Sequence, residues 1–184
     1  MRVWYPLGRL RGTRAALYVH VSVPIAAVVI GFSALGSPVF ATATFLSLIA
    51  TILLHEIGHA LVAHRLGCAT GAIRFSLIHG RCEHDVPDNR WDEALIAWGG
   101  VAAQAIVAIP LCVFDAFWHG SLGVFAPVVL ILGYWSLIVA VFNLIPARGR
   151  DGLKAWRIIA LLRNRYSARK VVKSALKKTG PSKH

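Results

Sequence analysis

Long stretches of this sequence contain no charge at all. No Asp, Glu, Lys or Arg occurs from Ala15 to Leu54, from Ala94 to Phe114, or from Ala116 to Ala147. Of the 184 residues, 57% are hydrophobic and 15% charged, a balance that excludes an ordinary soluble globule. Cysteine is scarce as well. Cys68, Cys82 and Cys112 are odd in number and scattered, without a CxxC pair, which excludes a disulfide framework. Internal repeats and low-complexity linkers are also missing.

A membrane-spanning helix needs roughly 20 apolar residues, so the uncharged runs predict an all-α integral membrane protein. The first run is long enough for two spans, with Gly36-Ser37-Pro38 as the turn between them. The expectation is about four transmembrane helices, near 17–35, 39–63, 94–114 and 122–145. The alternative for the first is a cleaved signal peptide: Arg2, Arg9, Arg11 and Arg14 precede it, and Val39-Phe40-Ala41 could serve as a cleavage site.

The formal net charge of +12 is distributed by position rather than gathered into a nucleic-acid motif. All 20 Lys and Arg fall before residue 15, between Arg65 and Arg90, or from Arg148 to Lys183. Positive residues mark the cytoplasmic side, which puts both termini and the 64–93 loop inside, with Cys68 and Cys82 in a reducing environment. The segment from Lys154 mixes Trp156, Ile158, Ile159, Leu161 and Leu162 with Arg157, Arg163 and Arg165. It reads as a basic C-terminal helix or tail in contact with anionic lipid. No nucleic-acid partner is expected, because no recognition motif accompanies the charge.

His55-Glu56-Ile57-Gly58-His59 follows the apolar run Phe40–Leu54. Residues four apart share one helix face, so His55 and His59 can present two imidazoles to one metal ion. Glu56 borders that face, where a general base could reach a water at the metal. The bland reading is two histidines and a glutamate buried by hydrogen bonding. Burying all three in a membrane segment is costly, however, and intramembrane ionisable residues are functional candidates.

Two histidines leave a catalytic zinc one protein ligand short. The acids outside the motif are Glu83, Asp85, Asp88, Asp92, Glu93, Asp115 and Asp151. Asp115 lies near the predicted outer turn, the wrong end for His59. The acids of 83–93 lie in a polar loop. Asp151 follows Asn143-Leu144-Ile145-Pro146 and precedes Gly152; a proline-kinked, glycine-bounded segment can return a carboxylate towards the metal. It can equally be a helix N-cap.

HEIGHALVAHRLG at 55–67 together with NLIPARGRDG at 143–152 resembles the site-2 protease family of intramembrane zinc metalloproteases, whose paired motifs are HExxH and NxxPxxxxDG. Gly99-Gly100 with Gln104 resembles that family's glycine-rich central helix more weakly. The likeness covers roughly 40–162. It implies one zinc ion per chain held by His55, His59 and Asp151, with Glu56 as catalytic base and Asn143 as a polar partner of substrate or transition state. It also implies a membrane-anchored protein substrate and a prokaryotic plasma membrane. Residues 1–163 would form one membrane-embedded metalloprotease domain, and 164–184 a basic cytoplasmic tail. Arg148-Gly149-Arg150 departs from the family pattern, where apolar residues or proline are common, and the chain has no length for a PDZ or nucleotide-binding regulatory domain.

Two further features belong to the inner loop. Ala72–Leu77 alternates, with Ile73, Phe75 and Leu77 on one side and Arg74 and Ser76 on the other. This predicts a short cytoplasmic strand, to whose edge an extended substrate could add, or else an amphipathic surface loop. His79, Cys82 and His84 could supply a second metal site, although their spacing fits no common zinc pattern. His20 and His64 are expected to pack or hydrogen-bond. Gly99, Gly100, Ala102 and Ala103 could serve only close helix packing. Two readings compete with the protease: a membrane metal-ion transporter or sensor using the same ligands, and an inactive protease-like scaffold.

Overall fold

The computed structural model describes residues 3–33, 37–118 and 120–178. Helix α2 spans Pro38–Arg65 and α3 spans Arg90–Phe117, at 28 residues each. At 1.5 Å per residue each is about 42 Å long, more than a bilayer core of about 30 Å requires. A third long helix, Gly123–Asn143, opens with a short 3-10 turn, continues as a π-helix over Val128–Trp135 and ends as the α-helix Ser136–Asn143. These three helices are long and apolar enough to cross a membrane. A four-residue helix, Gly152–Ala155, and the basic helix Arg157–Lys178 complete the described residues. The expected boundary at 163/164 falls inside that last helix.

The span expected at 17–35 is corrected. Its first residues form a β-strand, and among its described residues the helix is Ser22–Ser33, designated α1. Twelve residues give about 18 Å of helix, short of a bilayer core. Lack of charge could not separate these states, because a buried strand is as free of charge as a spanning helix.

The chain is mostly helical, as expected, but the short cytoplasmic β segment expected beside the helices is part of a four-stranded sheet. Strands β1 (Trp4–Arg9), β2 (Ala16–His20), β3 (Thr70–Phe75) and β4 (Gly80–His84) form one sheet in the order β1-β2-β3-β4. β1 and β2 make a hairpin closed by Leu10 N–H donating to Ala15 O at 2.9 Å. β2 runs parallel to β3, pairing Ala16 with Ala72 and Val19 with Phe75. β4 returns antiparallel to β3. The predicted strand at 72–77 therefore exists, but it is interior: both its edges are taken, and β4 is the outer strand.

The sheet lies against the middle of α2. Ala15 and Ile73 pack on Ala60, with Leu10, Leu17, Ile57 and Cys82 around them. Val19, Val23 and Phe75 meet Phe45, Ile49, Ile52 and Leu53. Sheet pairing brings the N-terminal basic segment beside the 65–93 loop. An Arg157–Glu93 ion pair at 2.7 Å brings the C-terminal basic segment to the same end of the helices. His20 packs edge-on against Trp4 and contacts Ser22 Oγ at 3.0 Å.

Polarity is distributed from the inside outward. On α2 the buried residues are small or polar, and Ser47, Thr51, His55, His59 and Ala63 among them recur every four positions. Ile106, Ile109 and Val113 of α3 and Ile138 and Val141 of the third helix are exposed, as suits lipid-facing positions. The α2–α3 contact depends on glycine. A Cβ at Gly99 would lie 2.7 Å from the Gly58 carbonyl oxygen, so both positions must stay bare for the backbones to approach this closely.

Candidate metal centre

His55 and His59 sit one turn apart on the buried face of α2, each 7% exposed. Their Nε2 atoms are 3.0 Å apart. Asp151 Oδ2 lies 2.9 Å from His55 Nε2 and 3.2 Å from His59 Nε2, across 96 and 92 residues of chain. Among the described residues this is the group of His, Cys and acids able to share one ion. Asp115 accepts a hydrogen bond from the Tyr134 hydroxyl at 2.9 Å. His79 contacts Ser76 Oγ, and His84 bonds the Asp85 carbonyl, so the suggested His79–Cys82–His84 site does not assemble.

The chemistry of the donor set fits a cation. His59 Nδ1 lies 2.7 Å from the Ile96 carbonyl oxygen, an acceptor only, so Nδ1 carries the hydrogen. His55 Nδ1 donates to Gln104 Oε1 at 3.0 Å, and Gln104 Nε2 in turn donates to the Thr51 carbonyl at 3.5 Å. Gln104 is fully buried. In the neutral imidazoles both Nε2 atoms therefore point lone pairs at one spot, and a carboxylate oxygen points there too. Three acceptors that close repel unless a positive charge lies between them. Zinc bonds of about 2.0–2.1 Å at tetrahedral angles place ligand atoms about 3.3 Å apart, close to the spacing found.

Local chain geometry explains how Asp151 arrives. After Asn143 the backbone makes tight turns, with Ala147 N–H donating to Ile145 O at 2.8 Å and Arg150 N–H to Ala147 O at 3.2 Å. Gly149 takes φ +82°, a conformation that disfavours side chains. Gly152 packs so tightly on the Leu144 and Ile145 carbonyls that a Cβ would come within 2.6 Å of the latter's oxygen. Asp151 does stand at the N-cap position of Gly152–Ala155, but its side chain makes no capping bond. It turns to the histidines instead.

Other residues of the site gave weaker sequence signals. Gly100 lies beneath both imidazoles: a Cβ there would be 2.7 Å from His55 Nδ1 and from His59 Nε2. Trp98 Nε1 donates to Ala155 O at 3.1 Å, Trp156 Nε1 donates to Leu144 O at 2.6 Å, and the two indoles meet edge to face at 5.9 Å. Glu93 pairs with Lys154 and Arg157. Together these contacts fasten the Asp151 segment to α3. Sequence could have suggested Trp98 and Trp156 only as indoles placed where a membrane helix meets water.

Glu56, 6% exposed, lies beside Cys82 of β4. Gly80 of β4 lies over it, where a Cβ would come within 2.6 Å of Glu56 Oε1. Asn143 Nδ2 reaches to 3.3 Å from His55 Nε2. A cavity of about 680 Å³ joins these groups, lined by β4, by the third helix at Trp135, Ile138 and Phe142, and by Gly149–Asp151.

The chain is 30% identical over 149 residues to a zinc metalloprotease of Methanocaldococcus jannaschii. Its fold matches the solved site-2 protease from the same organism at a TM-score of 0.67 and 26% identity, over 85% of this chain and 71% of that one. Sequence and fold alike support the site-2 protease family. The chain spans 42% of the length of the curated relative. No protein-family profile matches it. The weaker likeness at Gly99, Gly100 and Gln104 falls on residues that touch the histidine pair or its helix.

Proposed function

We propose that this chain is a zinc-dependent intramembrane endopeptidase that cleaves membrane-anchored proteins in or beside their transmembrane segments. The observation that carries this reading is the convergence of His55 Nε2, His59 Nε2 and Asp151 Oδ2, with Glu56 beside them, in one cavity between apolar helices. His55, His59 and Asp151 would hold one zinc ion. When bound, zinc supplies a Lewis acid that activates water and polarises a carbonyl.

Glu56 takes the proton of the attacking water and delivers it to the leaving amine. Gln104 and the Ile96 carbonyl fix both imidazoles with hydrogen on Nδ1, leaving Nε2 for the metal. The Asn143 amide, a donor at the rim of the site, orients the substrate carbonyl. An intact helix hides its peptide bonds, so the substrate unwinds locally and lies extended along β4, the outer strand beside Glu56. The positive segments gathered at one end of the helices support a cytoplasmic location for both termini and the sheet, in a prokaryotic plasma membrane.

Purified protein reconstituted with a transmembrane substrate tests the assignment. Wild type should cleave it, and Glu56→Gln should retain zinc without cleaving. Turnover by Glu56→Gln would sink the mechanism. Zinc flux into proteoliposomes without proteolysis would favour a transporter.

A further inference from the structure

A second, shallower cavity of about 470 Å³ lies outside the metal centre, lined by Val141, Leu144, Ile145, Pro146 and Trp156. Its walls are the two ends of the segment that carries Asp151. Residues 141–146 close the third helix before that segment and Trp156 follows it, the indole bridging the two by donating to Leu144 O at 2.6 Å. Val141, Ile145 and Trp156 are nevertheless exposed. The apolar surface continues along the basic helix, where Ile159 N–H donates to Trp156 O and Ile159, Leu162 and Tyr166 stand exposed at helical spacing. Ile158 and Leu161, half-buried, and Arg165, stacked on Trp91 of α3, occupy a different side.

Cations flank this groove. Lys154 and Arg157 are taken by Glu93. Arg148, two residues past Pro146, and Arg163, one turn beyond Ile159 on the same helix face, are both exposed. Among the described residues neither has an acidic partner within 4 Å.

We infer that the groove and these two arginines form a binding site for one anionic phospholipid, its acyl chain over Val141, Ile145 and Trp156 and its phosphate at Arg148 and Arg163. An acyl chain suits walls that are apolar throughout. Arg takes a phosphate with two parallel hydrogen bonds. The groove also lies at the end of the helices where the positive segments gather, which favours an anionic headgroup over a neutral one. A second copy of the chain is a poorer occupant, because it would bring another basic helix against Arg148 and Arg163. A lipid in this place touches both ends of the Asp151 segment and holds them together. The inference stands apart from the protease reading, since it concerns only how that segment is held.

The test reads lipid retention and local opening. Full-length protein in detergent is supplied with equal amounts of phosphatidylcholine and phosphatidylglycerol and weighed by native mass spectrometry. One phosphatidylglycerol should be retained, bound roughly tenfold more tightly than phosphatidylcholine. Arg148→Gln with Arg163→Gln should erase that preference. Arg169→Gln with Lys170→Gln removes the same charge farther along the basic helix and should keep it. Val141→Trp, at an exposed position, fills the groove and should lower retention. In nanodiscs, deuterium exchange over 144–156 should slow when phosphatidylglycerol is added to phosphatidylcholine. Equal retention of the two lipids by the unmodified protein overturns the site, and that comparison needs no variant to fold. Equal loss of preference in the two double variants also overturns it, in favour of diffuse attraction to the basic helix. A dimer mass without bound lipid puts a second copy in the groove instead. Unchanged exchange over 144–156 overturns the hold on the Asp151 segment.

Discussion

Trp98 Nε1 donates a hydrogen bond to the carbonyl oxygen of Ala155 at 3.1 Å, tying α3 to the short helix that begins immediately after Asp151. The third candidate ligand therefore depends on a contact with no metal chemistry of its own. Trp98→Phe keeps most of the ring and loses the donor. One hydrogen bond is worth about 1 kcal/mol, so zinc affinity should fall roughly fivefold, read by competition with a chromophoric chelator. Unchanged affinity would show that Asp151 is held without this anchor.

Asp151→Ala removes the proposed third ligand and should leave the purified protein largely without zinc by elemental analysis, whereas Glu56→Gln should keep close to one equivalent. If Asp151→Ala retains zinc as wild type does, the third ligand is some other group.

Gln104 is fully buried, and its Oε1 accepts from His55 Nδ1 at 3.0 Å. Gln104→Leu leaves that hydrogen without its partner and frees the ring to turn. Loss of such a partner costs about 10–100-fold in metal affinity. Gln104→Glu keeps an acceptor and should recover part of the loss. Equal loss in both variants would point to packing rather than orientation.

Gly100→Ala places a methyl carbon 2.7 Å from His55 Nδ1 and from His59 Nε2. The imidazoles cannot both keep their positions, so zinc should be lost while the helical circular dichroism in detergent stays close to wild type. Full zinc occupancy would mean that α2 and α3 can move apart at this level.

Cys82, half-buried beside Glu56 and Glu83, has its thiol pushed up to about 12 by burial first and then by the two carboxylates. It should resist iodoacetamide at pH 8 in the native protein and react once the chain is unfolded, as read by peptide mass spectrometry. The sign for stability follows. The unfolded thiol ionises near its ordinary value, about 8.5, and the folded one near 12. The contribution is therefore complete below the lower value and is lost as pH rises towards the higher one. Rapid labelling of native Cys82 at pH 8 would contradict its environment.

The sequence by itself determined the membrane character, the histidine pair with Glu56, and the Asn143–Gly152 motif. These are local properties: an uncharged run is a statement about solvent, and a four-residue spacing fixes a helix face before any tertiary contact forms. Sequence left open whether Asp151 was a cap or a ligand, since one short motif serves both. It also read 17–35 as a span and 72–77 as an edge. Only the tertiary structure shows the Asp151 side chain turned to the histidines without a capping bond, and corrects the other two. Strand pairing between β2 and β3 joins residues more than fifty positions apart, and the Trp98, Trp156 and Glu93 contacts carry Asp151 to the histidines across more than ninety. Pairings over such distances depend on which surfaces meet when α2, α3 and the sheet pack. No periodicity within a single segment encodes them.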